Sequence, residues 1–494
     1  METVSSDVQH PLRYHFAQAF GERESDQGVV IQEADMISAV RFDEKGDMIA
    51  TGDRGGRIVL LRRVDQPRNS GKKTGRRKKA LLNAARNKTS KKAGEAGTVS
   101  TAKSGELRER RADPPEFRFW TQFQSHEPEF DYLKSMEIEE KINQIRWVRQ
   151  VNGAYRLVSS NDKTIKLWRI SERDQKNVTS FSVDSIADRG SRNTKSVAGL
   201  HLPALASAGP VVTATPRRTF SGAHTYHINS ISMNSDDETF LSADDLRVNL
   251  WNLNAGGVGF NILDIKPDNM EDLTEVITAA EFHPHHCNLF MHSSSRGLVK
   301  LVDLRAGALC EGWVREFEEP EDPGANQSFF SEIIASISDI KFSPDGRYIL
   351  TRDYMTLRLW DVNMERQPVL VIPVHEHLRA RLSDLYENDC IFDKFQSDFS
   401  HDGGSIITGS YNALIQTYST QTGAGTALEA SVDYVSGTSG RKNLSAEALT
   451  ANLIAGASAS ELVDPTRRVM QVHTSPKSHI AAVATGPALY CYYA

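Results

Sequence analysis

Cysteine is scarce in this 494-residue chain, and long apolar runs are absent. The four cysteines, Cys287, Cys310, Cys390 and Cys491, are scattered and never form a Cys-x-x-Cys pair. This distribution argues against a disulfide framework or a zinc knuckle and suits a reducing compartment. We predict no membrane span, because no run of about 18 apolar residues occurs. Residues 1–7 lack the basic start and apolar core of a secretory signal, so we expect a cytoplasmic protein.

Recognisable catalytic and cofactor-binding motifs are missing as well. The sequence contains no phosphate-binding Gly-rich loop and no Gly-x-Ser-x-Gly, and His375-Glu-His377 is not the His-Glu-x-x-His of zinc enzymes. Residues 283–287 (HPHHC) superficially suggest a metal cluster. Pro284 places them in a turn, however, and no second group of ligands has a fixed spacing to them. We expect no enzymatic activity, no cofactor and no metal site in this chain.

The sequence does contain a repeated strand–turn–strand unit that ends in tryptophan. Residues 240–251 (FLSADDLRVNLW) are typical of a strand, a turn at Asp244-Asp245 and a second strand that ends at Trp251. Such a hairpin cannot bury its tryptophan alone, so it needs copies of itself to pack against. The same unit recurs at residues 158–168 and 349–360. Repetition of this kind is typical of a WD40 β-propeller.

Seven strand triplets can be counted along the chain. The third strands lie at 57–61, 164–168, 247–251, 298–302, 357–360, 414–418 and 489–493. The first strands lie at 37–42, 142–147, 228–233, 277–282, 337–342, 392–397 and 469–474. The seventh triplet has no fourth strand after it, and residues 13–20 have strand composition. We predict an all-β fold, a single seven-bladed propeller over 1–494, with the ring closed by this N-terminal strand beside the last one.

Three long inserts interrupt the regular spacing. Residues 62–111 carry 17 Lys/Arg against 4 Asp/Glu, a local charge of +13, so the rest of a chain of net charge -6 carries -19. We predict that 62–112 is a basic disordered insert, because its apolar content is low. Residues 171–207 are polar and irregular, and residues 421–461, rich in Ala, Gly, Ser and Thr, are expected to be mobile.

Strand order fixes the face on which each connection lies. In an antiparallel blade, the turn between the second and third strands shares a face with the loop that leads to the next blade. We call this the top face, and it holds the turns with Arg54 and Asp245 and the loops 124–140, 224–227, 268–275 and 376–390. The connections between third and fourth strands, which include the basic insert and 171–207, lie on the opposite, bottom face.

Several segments on these faces allow two interpretations. Residues 124–135 place Phe130 and Tyr132 among carboxylates, which suits either a binding surface or a plug of the propeller shoulder. From the residues alone, Asp245 is expected to bond the backbone of its turn. Residues 269–272 resemble a capped helix start that would hold Leu273 outward.

The basic insert has its own alternatives. Residues 72–79 (KKTGRRKK) suit a nuclear-import or nucleic-acid patch, or a solvated loop. The insert contains no aromatic residue, which removes base stacking as a way to bind nucleic acid. The basic charge of the insert nevertheless supports an alternative function, a WD40 scaffold for nucleic acid or chromatin complexes. The nucleus is a further expected location beside the cytoplasm.

Long irregular strings in the sequence closely resemble a known family, the WD-repeat regulatory B subunits (55 kDa class) of protein phosphatase 2A. The strings are 50–57 (ATGDRGGR), 124–135, 137–142 (EIEEKI), 161–168 (NDKTIKLW), 224–229 (HTYHIN), 270–277 (MEDLTEVI), 329–334 (FFSEII) and 385–395 (LYENDCIFDKF). The resemblance covers most of the chain outside the three inserts.

The resemblance implies a non-catalytic propeller in a Ser/Thr phosphatase holoenzyme. Its partners would be a helical-repeat scaffold (A) subunit, a dinuclear-metal catalytic (C) subunit and phosphoprotein substrates, whereas membrane and nucleic-acid partners are not expected. The family's acidic top face receives substrates, and a bottom-face hairpin arm, 171–207 here, grips the scaffold. Only 171–174 match well in that arm, so no scaffold contacts are assigned. The matching substrate-surface positions are Arg54, Phe130, Lys134, Glu139, Tyr226, His227, Asp245, Leu273, Glu387 and Phe392. For Asp245 the resemblance favours a ligand-facing role.

Overall fold

The computed structural model describes residues 12–21, 32–64, 114–132, 134–151, 153–180, 204–307, 309–310, 312–319, 329–431, 444–445, 464 and 467–494. Within these ranges the chain is almost entirely strand and turn. The two α-helices are short, α1 (Phe329–Ala335) and α2 (Leu382–Glu387). Single turns of 3₁₀ helix occur at Glu33–Asp35, Met270–Asp272 and Cys390–Phe392, and a longer one at Glu376–Arg381. No helix in the described ranges is long and apolar enough to span a membrane.

The described strands form seven sheets, one to each blade, and a separate two-stranded sheet of β6 (Glu129–Asp131) and β7 (Met136–Ile138). In chain order they are β1 (His15–Phe20), β2 (Ile37–Phe42), β3 (Met48–Asp53), β4 (Arg57–Val64), β5 (Glu116–Gln124), β6 (Glu129–Asp131), β7 (Met136–Ile138), β8 (Gln144–Val151), β9 (Ala154–Ser160), β10 (Ile165–Ser180), β11 (Ala204–Phe220), β12 (Ser230–Met233), β13 (Thr239–Ala243), β14 (Arg247–Asn252), β15 (Phe260–Asp264), β16 (Ile277–Phe282), β17 (Leu289–Ser294), β18 (Val299–Asp303), β19 (Arg315–Phe317), β20 (Asp339–Phe342), β21 (Tyr348–Arg352), β22 (Thr356–Asp361), β23 (Leu370–Pro373), β24 (Ser397–Phe399), β25 (Ser405–Gly409), β26 (Leu414–Ser419), β27 (Gly425–Glu429), β28 (Leu444–Ser445), β29 (Val469–Thr474), β30 (Ile480–Thr485) and β31 (Ala488–Tyr493).

Each blade is an antiparallel sheet built from consecutive strands. The orders are β2–β5, β8–β11, β12–β15, β16–β19, β20–β23 and β24–β28, and the seventh blade is β29-β30-β31-β1. The N-terminal strand therefore supplies the fourth strand of the last blade, with His15 opposite Tyr493 and Phe20 opposite Leu489. The predicted seven-bladed ring and its mode of closure are confirmed.

Apolar residues from neighbouring blades meet in seven separate cores, one at each seam of the ring. Trp251 of blade three packs against Phe220 of blade two, with ring centroids 5.4 Å apart, and is 1% exposed. Its indole Nε1 donates a hydrogen bond to Ser242 Oγ at 2.8 Å. The terminal tryptophan of the repeated hairpin is thus buried between copies, as its sequence requires.

The structure differs from the expected strands in blade six. The predicted first strand over 392–397 is wrong, because β24 begins only at Ser397 and residues 390–392 form a 3₁₀ turn. Cys390, Ile391 and Phe395 are buried in a small core beneath the top loop, together with Leu385 of α2. These residues are apolar because they pack in that core, and not because they form one face of a strand.

The inserts also begin and end differently from the expected bounds. Strand β4 continues to Val64, so 62–64 belong to blade one, and 65–113 lie outside the described residues. Residues 425–429, expected to be mobile, form β27, the fourth strand of blade six. Residues 432–443 and 446–463 lie outside the described part of the chain.

The segment expected to be irregular after 171 is a regular hairpin arm. Strands β10 and β11 stay paired beyond the blade, from Ser171 opposite Thr213 to Ser180 opposite Ala204. Nearly all side chains described on this arm are exposed. The hairpin is a connection between third and fourth strands, so it lies on the bottom face; residues 181–203 are outside the described residues.

We predict that Trp251→Ala destabilises the propeller by about 3–5 kcal/mol, because it opens a cavity at the seam and leaves Ser242 without its indole donor. Urea unfolding followed by circular dichroism measures this change. Trp313 is 50% exposed, so Trp313→Ala is the control and should cost under about 1 kcal/mol. An equal loss in both variants would contradict the seam model.

Candidate functional site

All ten predicted site residues lie on the top face. Arg54 and Asp245 lie in turns between second and third strands, before β4 and β14. The other eight lie in loops that lead from one blade to the next. These are Phe130, Lys134 and Glu139 after β5, Tyr226 and His227 after β11, Leu273 after β15, and Glu387 and Phe392 after β23. The antiparallel strand order therefore brings residues from distant parts of the chain to one surface.

The turn before β14 divides two roles between adjacent aspartates. Asp244 Oδ1 accepts from the backbone N–H groups of Leu246 and Arg247 at 2.9 and 2.7 Å, and Asp244 Oδ2 lies 2.9 Å from His224 Nδ1. Asp244 thus holds the turn, and the expectation that Asp245 would do so is wrong. The partly exposed Asp245 carboxylate makes no hydrogen bond within the described residues.

The pKa values of these two aspartates shift in opposite directions. Burial raises the pKa of Asp245, and the neighbouring Asp244 charge adds to this, whereas Lys394, His227 and Lys163 oppose it. Burial would also raise the pKa of Asp244. The hydrogen bonds from His224 and the turn backbone outweigh burial and hold the pKa of Asp244 below its usual value. Asp244 is therefore a structural anion, and Asp245 is an anion with spare hydrogen-bonding capacity.

A backbone hydrogen bond joins the turn before β14 to the beginning of the next blade, and the corresponding turn before β10 has the same bond. Ile277 N–H donates to the carbonyl of Asp245 at 2.8 Å, and Ile228 N–H donates to that of Asp162 at 3.0 Å. The Asp162 carboxylate also accepts from Asn143 Nδ2 at 2.8 Å and lies 3.0 Å from His227 Nδ1. These bonds fix the position of His227 relative to blade two.

The loop after β5 carries a two-stranded hairpin, β6–β7, that reaches toward blade three. Lys134 Nζ, at its tip, donates to the carbonyl of Thr225 at 3.4 Å, and Lys163 donates to the same carbonyl. Phe130 is 45% exposed and packs edge-on against Tyr132 at 5.1 Å. The tip of the hairpin therefore contacts the loop that carries Tyr226 and His227, while Phe130 and Tyr132 are exposed and do not plug the shoulder.

Lysines at the centre of the top face were not among the predicted residues. The pKa of Lys163 is lowered by burial and by Lys134, and that of Lys141 by burial and by Arg54, while Asp162 opposes both shifts. Lys394 acts on both Lys141 and Asp245. The centre thus combines cations with Asp162 and Asp245. Aligning the turns would have found Lys163, whereas Lys394 lay in the wrongly predicted strand.

An aromatic patch lies on the same face, over the small core of blades five and six. Phe392 is 54% exposed, and its ring centroid is 5.9 Å from that of Tyr386. Tyr386 also contacts Phe329, which is 67% exposed, at 5.6 Å. Beneath the patch, Tyr411 donates to the carbonyl of Cys390 at 2.8 Å, which fixes the turn that carries Phe392.

The remaining predicted residues differ in their surroundings. Leu273 ends a single 3₁₀ turn, Met270–Asp272, in which the Asn269 side chain accepts from Glu271 N–H at 3.3 Å. Leu273 is half-buried, so the expected capped helix is only one turn and its leucine is only partly outward. Arg54 pairs with Glu33, and Glu139 and Glu387 are exposed.

A deep cavity lies away from these ten residues. It has a volume of about 760 Å³ at the bottom end of the central channel and is lined by Arg41, Arg146, Glu281, Lys341, Asp398 and His473 among others. None of the ten predicted residues borders it. The ten predicted residues are all exposed or half-buried, so they form an open surface that suits a macromolecule.

Comparison with known proteins places this chain in a family. The model of the WD domain, G-beta repeat, matches residues 214–252 and 331–361. The B beta isoform of the 55 kDa regulatory subunit of serine/threonine protein phosphatase 2A from Arabidopsis thaliana is 45% identical over 528 residues, covering 100% of this chain and 99% of the relative. The chain belongs to the family of 55 kDa regulatory B subunits of protein phosphatase 2A.

Two further relatives support this membership. The protein phosphatase 2A regulatory subunit phr2AB of Dictyostelium discoideum is 43% identical, over 98% of this chain and 99% of the relative. The B alpha isoform of the 55 kDa regulatory subunit from Oryza sativa subsp. japonica is 48% identical, over 86% of this chain and 74% of the relative. The predicted family is confirmed, and this B subunit is a regulatory and not a catalytic protein.

The division of roles in the turn of this B subunit predicts two different mutational effects. Asp244→Ala should lower the free energy of unfolding by about 2–4 kcal/mol, because it strands two backbone donors. Asp245→Ala should change it by no more than about 0.5 kcal/mol. Urea unfolding at neutral pH compares them, and a larger loss in Asp245→Ala would contradict the assignment.

The same pair predicts a dependence on pH. The pKa of Asp244 is lower in the folded than in the unfolded chain, so its stabilisation is present above about pH 4 and is lost as pH falls through the folded pKa. The difference in free energy of unfolding between the wild type and Asp244→Ala should therefore narrow in acid, which urea unfolding at a series of pH values measures.

Proposed function

We propose that this B subunit joins the scaffold (A) and catalytic (C) subunits of protein phosphatase 2A, and recruits phosphoprotein substrates with basic flanks through its top face. The observation that carries the proposal is the convergence of all ten family-matched residues on one surface. The bottom face, which bears the hairpin arm, is left for the scaffold. The two functions are thereby separated by the thickness of the propeller.

The charge of the top loops supports basic segments as ligands. Residues 125–143 contain six carboxylates against two lysines, and residues 265–276 contain four against one. Glu127, Glu129, Glu271 and Asp272 are exposed. Such a rim steers a basic segment toward the face and fixes its register more than it adds raw affinity.

Apolar side chains beside the rim supply anchors. Leu273 directly follows Glu271 and Asp272, and Phe130 stands among the carboxylates of the β6–β7 hairpin. Partly exposed apolar residues surrounded by charge are typical of interface centres. We therefore assign Leu273 and Phe130 to substrate contact and the carboxylates to orientation.

Leu273→Ala should impair dephosphorylation of peptides with basic flanks, with a loss of about 1–3 kcal/mol in substrate binding. Asp245→Lys should do the same by reversing a charge. The measurement is kcat/KM of the reconstituted holoenzyme on a phosphopeptide with basic flanks and on one with neutral flanks. Assembly of the holoenzyme is checked by size-exclusion chromatography.

The matched control is Leu309→Ala, since Leu309 is 53% exposed in the connection between β18 and β19 on the bottom face. It should leave both peptides unaffected. Unchanged turnover of the basic-flanked peptide by an intact Leu273→Ala holoenzyme would contradict the proposal that substrates bind the top face.

The hairpin arm supports docking on a partner by its shape and its exposed apolar residues. Val178, Leu205 and Val211 are 50%, 58% and 42% exposed along β10 and β11. Two paired strands that leave the blade without packing on it gain nothing from this conformation within the propeller alone. A partner that covers these side chains would stabilise the arm.

Replacing 174–210 with Asn-Gly should therefore weaken association with the scaffold at least tenfold while the propeller still folds. The register supports this design, because Arg173 and Val211 are paired partners that a two-residue turn can join. Affinity is measured by surface plasmon resonance and folding by the melting temperature. A collapse of the melting temperature would show that the arm is structural.

The control replaces the connection of blade one. Val64 and Glu116 are paired, so 65–113 and the two prolines after them can be exchanged for a short Gly/Ser linker. This variant should keep scaffold association. Binding of duplex DNA that depends on 65–113, without binding of scaffold, would favour the nucleic-acid alternative.

A further inference from the structure

Two turns on the bottom face bring three potential metal ligands together. His401 and Asp402 lie in the turn between β24 and β25 of blade six, and His479 lies at the end of the turn between β29 and β30 of blade seven. Both are turns between first and second strands, so adjacent blades place them side by side. The two histidines are far apart in sequence, so no local sequence motif predicts this group.

The ligand atoms of this group are close enough to converge on one ion. A nitrogen of each imidazole and a carboxylate oxygen of Asp402 all lie within 4.8 Å of one another. The two imidazole rings meet edge to face, with centroids 4.1 Å apart and an interplanar angle of 85°. In a tetrahedral zinc site with bonds of about 2.0–2.2 Å, ligand atoms lie roughly 3.3–3.6 Å apart. A small movement of side chains on two surface turns covers the difference.

Both histidines carry a buried nitrogen without a partner. Nδ1 of His401 and Nδ1 of His479 are shielded from solvent and make no hydrogen bond within the described residues. Buried polar atoms are normally satisfied, as in His375, whose Nδ1 and Nε2 contact Tyr354 O at 2.7 Å and Ser410 Oγ at 2.9 Å. Nitrogens without a hydrogen-bond partner on two imidazole rings that contact each other are available to bind a cation.

Asp402 is held in place for this role by its own turn. Its Oδ1 accepts from Ser400 Oγ at 2.5 Å and from the backbone N–H of Gly404 at 3.1 Å. These bonds orient the carboxylate and leave further acceptor positions on it, since an ionised carboxylate has about four. A carboxylate fixed in this way matches the supporting hydrogen bonds that metal ligands usually have.

We propose that His401, Asp402 and His479 form a Zn²⁺ site that links blades six and seven on the bottom face. Two imidazoles and one carboxylate are a ligand set that suits zinc, whereas Mg²⁺ and Ca²⁺ prefer oxygen ligands alone. Three protein ligands leave the fourth tetrahedral position to water. The ion would cross-link the last complete blade to the blade that closes the ring.

The histidine-rich stretch in blade four is not such a site. His283 Nε2 lies 3.1 Å from the carbonyl of Gly346, and its Nδ1 accepts from the backbone N–H groups of His285 and His286. Both of its ring nitrogens are therefore used by backbone groups, one in its own turn and one in the turn of the neighbouring blade. His286 is exposed in the corresponding turn of its blade, which makes it a matched control.

Isothermal titration of the metal-free full chain with ZnCl₂ tests the proposal. We expect one saturable equivalent of zinc, an affinity at least tenfold weaker in His401→Ala and in His479→Ala, and no change in His286→Ala. Asp402→Asn keeps the turn acceptor while removing the charge and should also weaken binding. Zinc should raise the melting temperature of the wild type but not of the histidine variants.

A second readout reports the geometry. CoCl₂ should give the intense visible absorption of tetrahedral cobalt in the wild type, and this band should disappear in the two histidine variants. Equal melting temperatures in EDTA show that the variants fold. Absence of saturable binding, or binding that persists in His401→Ala and His479→Ala, would overturn the proposal. A loss only in His286→Ala would assign zinc to an adventitious surface site, with the same consequence.

Discussion

Backbone hydrogen bonds from residues at or just before the first strand of a blade to the turn of the preceding blade organise much of the top face. Ile142 donates to the carbonyl of Asp53, Ile228 to that of Asp162 and Ile277 to that of Asp245. The bond requires no particular side chain on the acceptor, so the turn is free to present any residue to solvent. The same backbone contact thus occurs at turns that present different side chains to solvent. The candidate site lies along these seams between blades.

The sequence predicted the blades because their determinants are local. Alternating apolar residues, turn residues and terminal tryptophans lie within a few positions of one another, and the N-terminal strand was the one segment left to close the ring. Predictions failed where a residue served a distant partner. Phe395 and Cys390 pack under the top loop instead of forming a strand. Asp244 and not Asp245 holds its turn, which adjacency alone could not decide.

The charge distribution of the top face could be predicted only in part from the sequence. Net charge and loop composition predicted an acidic surface, and the rim agrees with this. The centre differs, because the ring brings Lys141, Lys163 and Lys394 within range of Asp162 and Asp245. A basic segment is attracted to the rim and meets cations at the centre, so the surface discriminates position as well as charge.

Joining the two chain ends in one blade has a consequence for biosynthesis. The ribosome makes His15–Phe20 long before its partner, Ala488–Tyr493. At about 5–20 residues per second, synthesis of 494 residues occupies roughly 25–100 s. Throughout that time β1 has no partner and β2 lacks the neighbouring blade that buries one of its faces. The nascent ring is therefore an open arc with unpaired strand edges, which are prone to aggregation until β31 has been made and pairs with β1.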